Sequence, residues 1–312
     1  MKHYKHLIFA GLIFFATTLL FSFDFKLKGS KNVSATFSIE KDVIITQTFE
    51  VRSKNSSGDY FITFSPGISN TFSQRKLLSG SDEMYYNIYN NSSEKTILKD
   101  LSANPSGGEI LSGNITAEEL SNSNSWVYKE HSYTVIIDRD QFPPAGQYKD
   151  SSVEVTLYKG TPENAQRINS ETLNISVTMD SYLEMSLVQE GARLDTADPD
   201  YTIDFSVLEA GETNDADLVV RSNNNYGVTV RSDHGGVLAI HDENDASVVP
   251  YVLKVNGREQ TLSEGTFEPF PSTAGPTSVD GEIYNLRVEI QDYGMATEGT
   301  YSDILTFTVS AQ

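Results

Sequence analysis

Two stretches decide the fold: residues 145–158 read AGQYKDSSVEVTLY, and residues 298–310 read EGTYSDILTFTVS. Each stretch places the motif Gly-x-Tyr-x-Asp directly before a run in which apolar and polar residues tend to alternate. Successive side chains of a β-strand point to opposite faces of the sheet, so this alternation predicts a strand with one buried face. The same turn and the same strand are therefore predicted at two places in the chain.

Alternation with a period of two continues on both sides of the first stretch. It runs through residues 33–39 and again through residues 173–179, and most such runs are bounded by Gly, Pro, Asn, Asp or Ser. Helical periodicity is nearly absent, and only residues 116–120 resemble a capped helical turn. Many short strands with polar turns predict an all-β chain of antiparallel, immunoglobulin-like β-sandwiches.

The chain also contains a degenerate internal repeat of five blocks in the same order. We expect two tandem β-sandwich domains, residues 23–179 and residues 182–312, because a shared order of blocks indicates a shared strand order. The blocks of the first copy are FEVRSK (49–54), YFITFS (60–65), MYYNIY (84–89), SYTVIIDRD (132–140) and residues 145–158, and those of the second are LVVRSN (218–223), YGVTVRS (226–232), PYVLKV (250–255), YNLRVEIQD (284–292) and residues 298–310.

The N-terminus predicts export. Residues 1–6 are basic, and residues 7–21 carry no charge, which is typical of a signal peptide that spans residues 1–22 with cleavage near Ser22. An uncleaved anchor is the alternative. No later segment can cross a membrane, so we expect a protein of the periplasm, the cell surface or an extracellular fibre.

The composition excludes several classes of protein. With 43 acidic and 23 basic residues, the net charge of −20 leaves no basic face for nucleic-acid phosphates. The absence of Cys excludes disulfide scaffolds and thiolate zinc sites. The acidic charge suits a soluble surface and by itself indicates no partner.

The repeated motif resembles the closing motif of the spore coat protein U domain. The resemblance covers most of residues 30–312 as two tandem domains, although members of this family often carry Cys pairs and this chain has none. It implies a secreted pilus subunit of the archaic, Csu-type chaperone–usher class, with other pilus subunits, a periplasmic chaperone and an outer-membrane usher as partners. The motif residues are Gly146, Tyr148, Asp150, Gly299, Tyr301 and Asp303.

We interpret these six residues as structural rather than ligand-binding. Each Gly permits a tight turn before the strand. Tyr148 and Tyr301 can bury their rings while their hydroxyls reach a backbone carbonyl near the sheet corner. Asp150 and Asp303 can cap the turn by accepting from a backbone N–H.

Candidate chemistry is thin, and we expect no enzyme, no cofactor and no metal. The sequence has no Gly-x-Ser-x-Gly elbow, Walker loop or dinucleotide fingerprint. Two acidic loops could bind Ca²⁺ through oxygens, but their spacing fits no EF-hand, so exposed loop charge is the favoured interpretation. Outside the signal segment the histidines are His131, His234 and His241, and the acidic loops contain Asp195, Asp198, Asp200 and Asp204, and Asp242, Glu243 and Asp245.

Binding is expected where the two copies differ, above all in the loops predicted at residues 65–82 and 90–127. The single Trp126 lies at the end of the second of these regions. It could be an exposed sugar-stacking or adhesive ring, although such a Trp more often belongs to the core or the rim.

The copies also differ in completeness. After its motif strand the first copy continues into a second alternating run, TLNISVTM at 172–179, which can return and close the sheet. After the strand at 304–310 only Ala311 and Gln312 follow, so we expect the second copy to be an acceptor for a strand from another chain. The run Phe23, Phe25 and Leu27 could itself be a donor if it is free, whereas packing into the first domain favours a tip position.

These observations predict a non-catalytic structural and adhesive subunit of a surface fibre that is assembled by donor-strand complementation. The adhesin at the tip of the fibre is one such subunit. The alternative is a stand-alone secreted or periplasmic binding or envelope protein that uses the same sandwiches without polymerising. Likeness of fold does not separate the two functions.

Overall fold

The computed structural model describes residues 24–26, 31–198, 200–242, 244–270 and 275–312. The predicted signal peptide at residues 1–22 lies outside the described residues, as do Phe23, Leu27 and Glu243. Strands dominate the rest, and they form two sandwiches, so the predicted all-β fold class is confirmed. No helix in the described part of the chain is long or apolar enough to span a membrane.

The first sandwich, called domain 1 below, is built from residues 24–179. One of its sheets has the order β1-β3-β8-β6, and the other contains β7-β4-β9-β10-β2. Its strands are β1 (Asp24–Lys26), β2 (Asn32–Thr36), β3 (Val43–Ser53), β4 (Gly58–Phe64), β5 (Arg75–Ser79), β6 (Asp82–Tyr89), β7 (Leu111–Ile115), β8 (Val127–Ile137), β9 (Gly146–Lys159) and β10 (Gln166–Met179).

The β5–β6 hairpin joins the two sheets of domain 1 along one side, because β6 pairs with β8 in one sheet and β5 reaches β9 in the other. All described strand pairs of this domain are antiparallel except β2 and β10, which run parallel from Asn32↔Asn174 to Thr36↔Thr178. The strand β10 therefore has a neighbour on each side: β9, antiparallel, and β2, parallel.

The second sandwich, domain 2, contains residues 183–311. One sheet has the order β11-β12-β18-β15-β14-β19, with β16 beside β15, and the other has the order β17-β13-β20. Its strands are β11 (Leu183–Gln189), β12 (Thr213–Ser222), β13 (Tyr226–Ser232), β14 (Val237–Ile240), β15 (Val248–Val255), β16 (Arg258–Gln260), β17 (Glu268–Pro269), β18 (Glu282–Ile290), β19 (Tyr301–Ser302) and β20 (Leu305–Ala311).

Each sandwich has its own hydrophobic core, one built from residues 33–179 and the other from residues 218–307. Between them, the side chain of Asn223 holds the connection, because it accepts from the Tyr182 N–H at 2.7 Å and donates to the Asp180 carbonyl at 2.8 Å. The ring of Phe142 meets Tyr182 edge-on, with centroids 5.8 Å apart. The boundaries predicted from the sequence, 23–179 and 182–312, stay predictions.

Some local expectations are met and others are not. The predicted helical turn is α1 (Ala117–Ser121), whose N-cap Thr116 exchanges hydrogen bonds with Glu119 in a capping box. The regions expected to be loops, 65–82 and 90–127, contain β5 and β7. The acidic residues at 195, 198, 200 and 242 are exposed as expected, but Asp245 is partly buried, and its carboxylate accepts from the Ser247 N–H at 2.8 Å.

Candidate functional site

The two motif tyrosines make the same contact in the two domains. The Tyr148 hydroxyl donates to the Pro144 carbonyl at 2.7 Å, and the Tyr301 hydroxyl donates to the Thr297 carbonyl at 2.6 Å. Each bond reaches back four residues and fixes the chain where it enters the strand. Tyr148 is fully buried, and this burial raises the pKa of its hydroxyl to about 12, whereas Tyr301 is only partly buried.

Asp150 gathers donors from three parts of domain 1. Its carboxylate accepts from the Tyr86 hydroxyl at 2.8 Å, the Ile68 N–H at 3.2 Å and the Ser152 N–H at 2.9 Å. Burial, with the nearby negative charge of Asp150, raises the pKa of Tyr86, so this hydroxyl stays protonated and donates. The network ties the motif to the Tyr-rich strand β6 and to the turn after β4.

Asp303 repeats this arrangement in domain 2. It accepts from the Tyr251 hydroxyl at 2.6 Å, the Ser232 hydroxyl at 2.6 Å and the His234 N–H at 3.1 Å. Tyr251 lies on β15, which contains the repeat block that matches the Tyr-rich strand of domain 1, and Ser232 and His234 lie at the end of β13. The two corners are thus built by the same repeat blocks through the same kinds of hydrogen bond.

The glycines of the motif differ from expectation. Neither Gly146 nor Gly299 has a positive φ, so the tight turn that the sequence predicts at each position does not depend on left-handed backbone. A Cβ on Gly146 would lie 2.9 Å from Ser79 Oγ, and one on Gly299 would lie 2.8 Å from Ile240 Cδ1. Both atoms are at the far ends of side chains that can move, so a Cβ at either position would require a local shift of Ser79 or Ile240.

One cation in domain 1 has no sequence signal that would have identified it. Arg75 is completely buried, and its guanidinium donates to the Asn87 side chain at 2.5 Å and to the carbonyls of Ser65 and Leu98 at 2.9 and 2.7 Å. Burial lowers its pKa to about 10, so the group stays charged at neutral pH. Its contacts hold β5 against β6, the segment that follows β4 and the segment that follows β6.

Among the residues that the structure describes, the histidines and acidic loops do not assemble into a metal centre. No group of three His, Cys, Asp or Glu residues within the described ranges could hold a metal ion. The partly buried His131 lies 2.7 Å from the Tyr60 hydroxyl and stacks on Phe49, and burial lowers its pKa. His234 and His241 are exposed.

Trp126 lies directly before β8 at the rim of domain 1 and is partly buried. The guanidinium of Arg52 stacks over its ring, 4.8 Å from the centroid, so one face of the ring is already in contact with the protein. Its neighbour Tyr128 is 51% exposed. An adhesive role for Trp126 stays a prediction, as do the structural roles of the six motif residues.

The two motif strands have different neighbours. In domain 1, β9 lies between β4 and β10, and the inward side chains of β10 cover the core with exposures of 0–4%. These side chains are Leu173, Ile175, Val177 and Met179. The predicted closing strand of this domain is therefore present.

In domain 2, β20 pairs with β13 on one edge, and no strand among the described residues pairs with its other edge. The strand β11, at the edge of the opposite sheet, lies against β20. The apolar side chains of these two strands are mostly only partly buried on the core: Leu183, Met185, Leu187, Leu305 and Val309. We call the edge of β20 that pairs with no described strand, together with these partly buried residues, the acceptor groove.

Residues 22–156 match the family model of the Spore Coat Protein U domain. The recognition of this family from the sequence is confirmed for the first of the two predicted domains, and the match covers less than half of the chain. A search of curated proteins found no match.

Several solved structures are similar over most of the chain. One is the CsuC–CsuE chaperone–tip adhesion subunit pre-assembly complex from archaic chaperone–usher Csu pili of Acinetobacter baumannii, with 12% identity, coverage of 92% of this chain and 99% of that chain, and a TM-score of 0.43. A second is CfaE, the adhesive subunit of the CFA/I fimbria of enterotoxigenic Escherichia coli, with 10% identity, coverage of 93% and 99%, and a TM-score of 0.38. A third is the CupB6 tip adhesin from Pseudomonas aeruginosa, with 10% identity, coverage of 92% and 95%, and a TM-score of 0.36.

Proposed function

We infer that this chain, which carries a spore coat protein U domain in its first half, is an exported, non-catalytic subunit of a chaperone–usher type surface fibre. Domain 2 accepts a strand from another chain, and domain 1 carries adhesion. The single observation that supports this most is the difference between the two motif strands: β9 is covered by β10, whereas β20 has one edge without a strand.

The acceptor groove has the two properties that strand addition requires. The free edge of β20 offers backbone donors and acceptors to an extended chain. The partly exposed side chains beneath it gain burial, and fully burying one Leu or Val side chain stabilises by about 1.5–3 kcal/mol relative to leaving it exposed. In the periplasm a chaperone would fill the groove first, and a neighbouring subunit would replace it during assembly at the usher.

The N-terminal strand supports a position at the tip of the fibre. The backbone of β1 pairs with β3 from Asp24↔Arg52 to Lys26↔Glu50, so this segment is engaged within domain 1. A subunit whose β1 is paired within its own domain does not offer that segment as a donor strand to the next subunit. It can still accept one through domain 2, and that combination suits the first subunit of a fibre.

Adhesion is assigned to the parts of domain 1 that domain 2 does not repeat. The regions 65–82 and 90–127, with Trp126 at the end of the second, carry α1, which has no counterpart among the described elements of domain 2, and β7, which is longer than the strand β17 in the equivalent sheet position. Replacement of Trp126 by Ala is expected to weaken attachment to the target surface, with Tyr128→Ala as a control on the same rim. Loss of attachment in the Tyr128 variant alone would move the adhesive site away from Trp126.

Immunogold labelling of fibres sheared from cells that express the gene tests this function. Antibodies against domain 1 should label fibre ends. Labelling along the fibre length would indicate an internal subunit. Cells that hold the exported antigen and form no fibres containing it would favour the stand-alone envelope protein.

A matched pair of variants links the labelling to the acceptor groove. Val309 faces the core and Thr308, its neighbour on β20, is exposed. Val309→Asp should leave the chain exported but absent from fibres, because a carboxylate in the groove opposes burial by an added strand. Thr308→Asp should leave incorporation unchanged.

A further inference from the structure

A cleft in domain 1 brings aromatic rings and polar side chains together. Its volume is about 310 Å³, at the lower end of the roughly 300–1,000 Å³ that small-molecule sites usually occupy. The strand β6 forms one side, and residues directly before β5 and after β8 complete it. We call it the β6 cleft, and the lining residues that matter here are Ser73, Gln74, Tyr85, Asn87, Tyr89 and Asp138.

The strand β6 presents a ring, an amide and a second ring on the face turned away from the core. Its residues at 84, 86 and 88 belong to the hydrophobic core, so Tyr85, Asn87 and Tyr89 lie on the opposite face. Two residues four apart on a strand are about 13 Å apart along it, with Asn87 midway between the tyrosines. The Asn87 side chain is buried and fixed, because it accepts from Arg75 at 2.5 Å and donates to the Phe72 carbonyl at 2.8 Å. The cleft therefore has a rigid floor between two aromatic side chains.

Tyr85 is held in place although it is 36% exposed. The side-chain amide of Gln141 accepts from the Tyr85 N–H at 2.6 Å and donates to the Tyr85 carbonyl at 2.9 Å. The Tyr85 hydroxyl donates to the Glu83 carboxylate at 2.8 Å. A ring that is fixed before a ligand arrives loses little side-chain entropy when the ligand binds.

Four polar groups around the cleft are not engaged by the protein. Among the described residues, no hydrogen-bond partner is found for the side chains of Ser73, Gln74, Tyr89 or Asp138. Asp138 has only a long ion pair with Lys95, at 4.0 Å. Burial and the nearby carboxylate of Asp138 raise the pKa of Tyr89, so this hydroxyl stays protonated and can donate. The cleft thus offers both donors and acceptors to a ligand.

Domain 2 does not carry this arrangement at the equivalent strand. Tyr86 and Tyr251 occupy matching positions, because each donates its hydroxyl to the motif carboxylate of its own domain. With these two residues aligned, the ring, amide and ring of β6 correspond to Pro250, Val252 and Lys254 on β15. The sandwich and its corner therefore form without the two tyrosines, which indicates that they have a role particular to domain 1.

We propose that the β6 cleft binds a neutral saccharide. A pyranose ring presents C–H groups on its faces, which pack on aromatic rings, and hydroxyls at its edge, which both donate and accept. Tyr85 supplies the stacking surface, and Asp138 accepts from sugar hydroxyls in charge-assisted hydrogen bonds. No cation lines the described cleft, and the Asp138 carboxylate repels anions, so the saccharide is neutral rather than acidic.

This inference adds a ligand class to the adhesive role proposed for domain 1, and it rests on that role only for its biological use. Ser73 and Gln74 lie in the region 65–82 to which adhesion is assigned, whereas Trp126 does not line the cleft. Binding can be measured on the purified chain without fibres. Its failure would therefore leave the proposed incorporation into fibres untouched.

The test applies the full exported chain to a glycan array. The array carries neutral oligosaccharides that end in hexose or N-acetylhexosamine, with sialylated and sulfated oligosaccharides beside them. We expect binding to a subset of the neutral glycans. For those glycans, Tyr85→Ala and Asp138→Asn should each weaken binding at least about ten-fold, the size expected when stacking or a hydrogen bond to a charged group is lost. Tyr85→Phe should restore most of the binding lost in Tyr85→Ala, because it keeps the ring.

The matched control is Tyr128→Ala, which removes an exposed tyrosine of the same domain outside the cleft and should leave glycan binding unchanged. Circular dichroism and melting curves of each variant show that loss of binding is not loss of folding. A chain that binds no neutral glycan, or binds the acidic glycans preferentially, would overturn the proposal. Binding that survives both cleft substitutions and is lost in Trp126→Ala would also overturn it, since the saccharide would then lie on the rim.

Discussion

Domain 1 and domain 2 share their corners and differ at one edge. Asp150 and Asp303 bind equivalent donors, and Tyr148 and Tyr301 reach back to equivalent carbonyls. The strand that follows the corner is nevertheless sandwiched between two strands in domain 1 and bonded on one side in domain 2. The motif therefore fixes how the strand enters the sheet, and a different element decides whether the core is covered.

That element is β10. A charged residue on its apolar face should lower the stability of domain 1 more than any of the substitutions described below. Ile175 is 1% exposed in the centre of β10. Ile175→Asp would place an unpaired carboxylate in the core, and we expect it to destabilise domain 1 by about 4 kcal/mol or more, enough to unfold it or nearly so. Urea unfolding followed by tyrosine and tryptophan fluorescence measures the loss.

The comparison is with Val309→Asp in domain 2. Because Val309 is only partly buried, its replacement should cost less than about 1.5 kcal/mol in the chain without an added strand. Equal losses at the two positions would mean that the core of domain 2 is already closed.

Loss of the hydrogen bonds to Asp150 or Asp303 should cause the next largest loss of stability. This loss should be similar in the two domains. Asp150→Ala removes the acceptor for the buried Tyr86 hydroxyl and for two backbone N–H groups. Unsatisfied buried donors cost about 1–3 kcal/mol each, partly relieved by water, so we expect a loss of about 2–4 kcal/mol from domain 1. Asp303→Ala should cost a similar amount in domain 2. Thermal unfolding followed by circular dichroism would detect both, and a loss in one domain only would break the equivalence of the corners.

Much of this architecture could be predicted from the sequence because it depends on period-two alternation. The runs at 153–157 and 173–179 correspond to strands whose apolar side chains are buried, and the repeated motif lies where each motif strand begins. Residues 201–205 also alternate, yet they form no strand, because a strand needs a partner for its backbone. Alternation describes one face of a strand and carries no information about its edges.

Other features have no local pattern to reveal them. The short strands β5 and β7 lie in polar regions, and they are fixed by pairing with β6 and β4. Arg75 is buried by carbonyls and an Asn side chain that come together only in the folded chain. The sequence predicts a tight turn at Gly146. In the structure, the absence of a side chain at this position lets Ser79 approach.

Removing the hydroxyl of Tyr148 or Tyr301 should cost less stability than removing either Asp, and the two domains should differ in the size of the loss. Tyr148→Phe and Tyr301→Phe each remove one hydrogen bond to a backbone carbonyl and keep the ring. We expect about 1 kcal/mol of lost stability at Tyr148, and less at Tyr301, where water can replace the bond because the side chain is partly exposed. Chemical denaturation of each variant measures the difference, and a larger loss at Tyr301 would contradict it.

Mild acid should lower the stability of the protein only slightly, and mainly that of domain 1. Burial lowers the pKa of His131 in the folded protein, so the unfolded chain binds a proton first as the pH falls through about 6.5. The stability of domain 1 should therefore decline below this pH, and His131→Gln should flatten the decline. The exposed His241→Gln is the matched control in domain 2. Melting temperatures between pH 7.5 and pH 5.5, the range about one unit either side of the free imidazole pKa, test this, and identical profiles for His131→Gln and the unchanged chain would contradict it.

Under the proposed function, domain 2 lacks the cover that β10 gives to domain 1. Differential scanning calorimetry of the full exported chain, with and without residues 159–180 fused after Gln312, tests it most directly. We expect the transition of domain 2 to rise by about 10 °C or more, since several kcal/mol of new burial and ladder bonds correspond to a shift of this size in a domain of this length, while the transition of domain 1 stays fixed. The same fusion with Asp at the positions of Ile175 and Val177 should give no rise. Transitions that are unchanged by the unmodified fusion would contradict the claim, because they would mean that the core of domain 2 is complete without a strand beside β20.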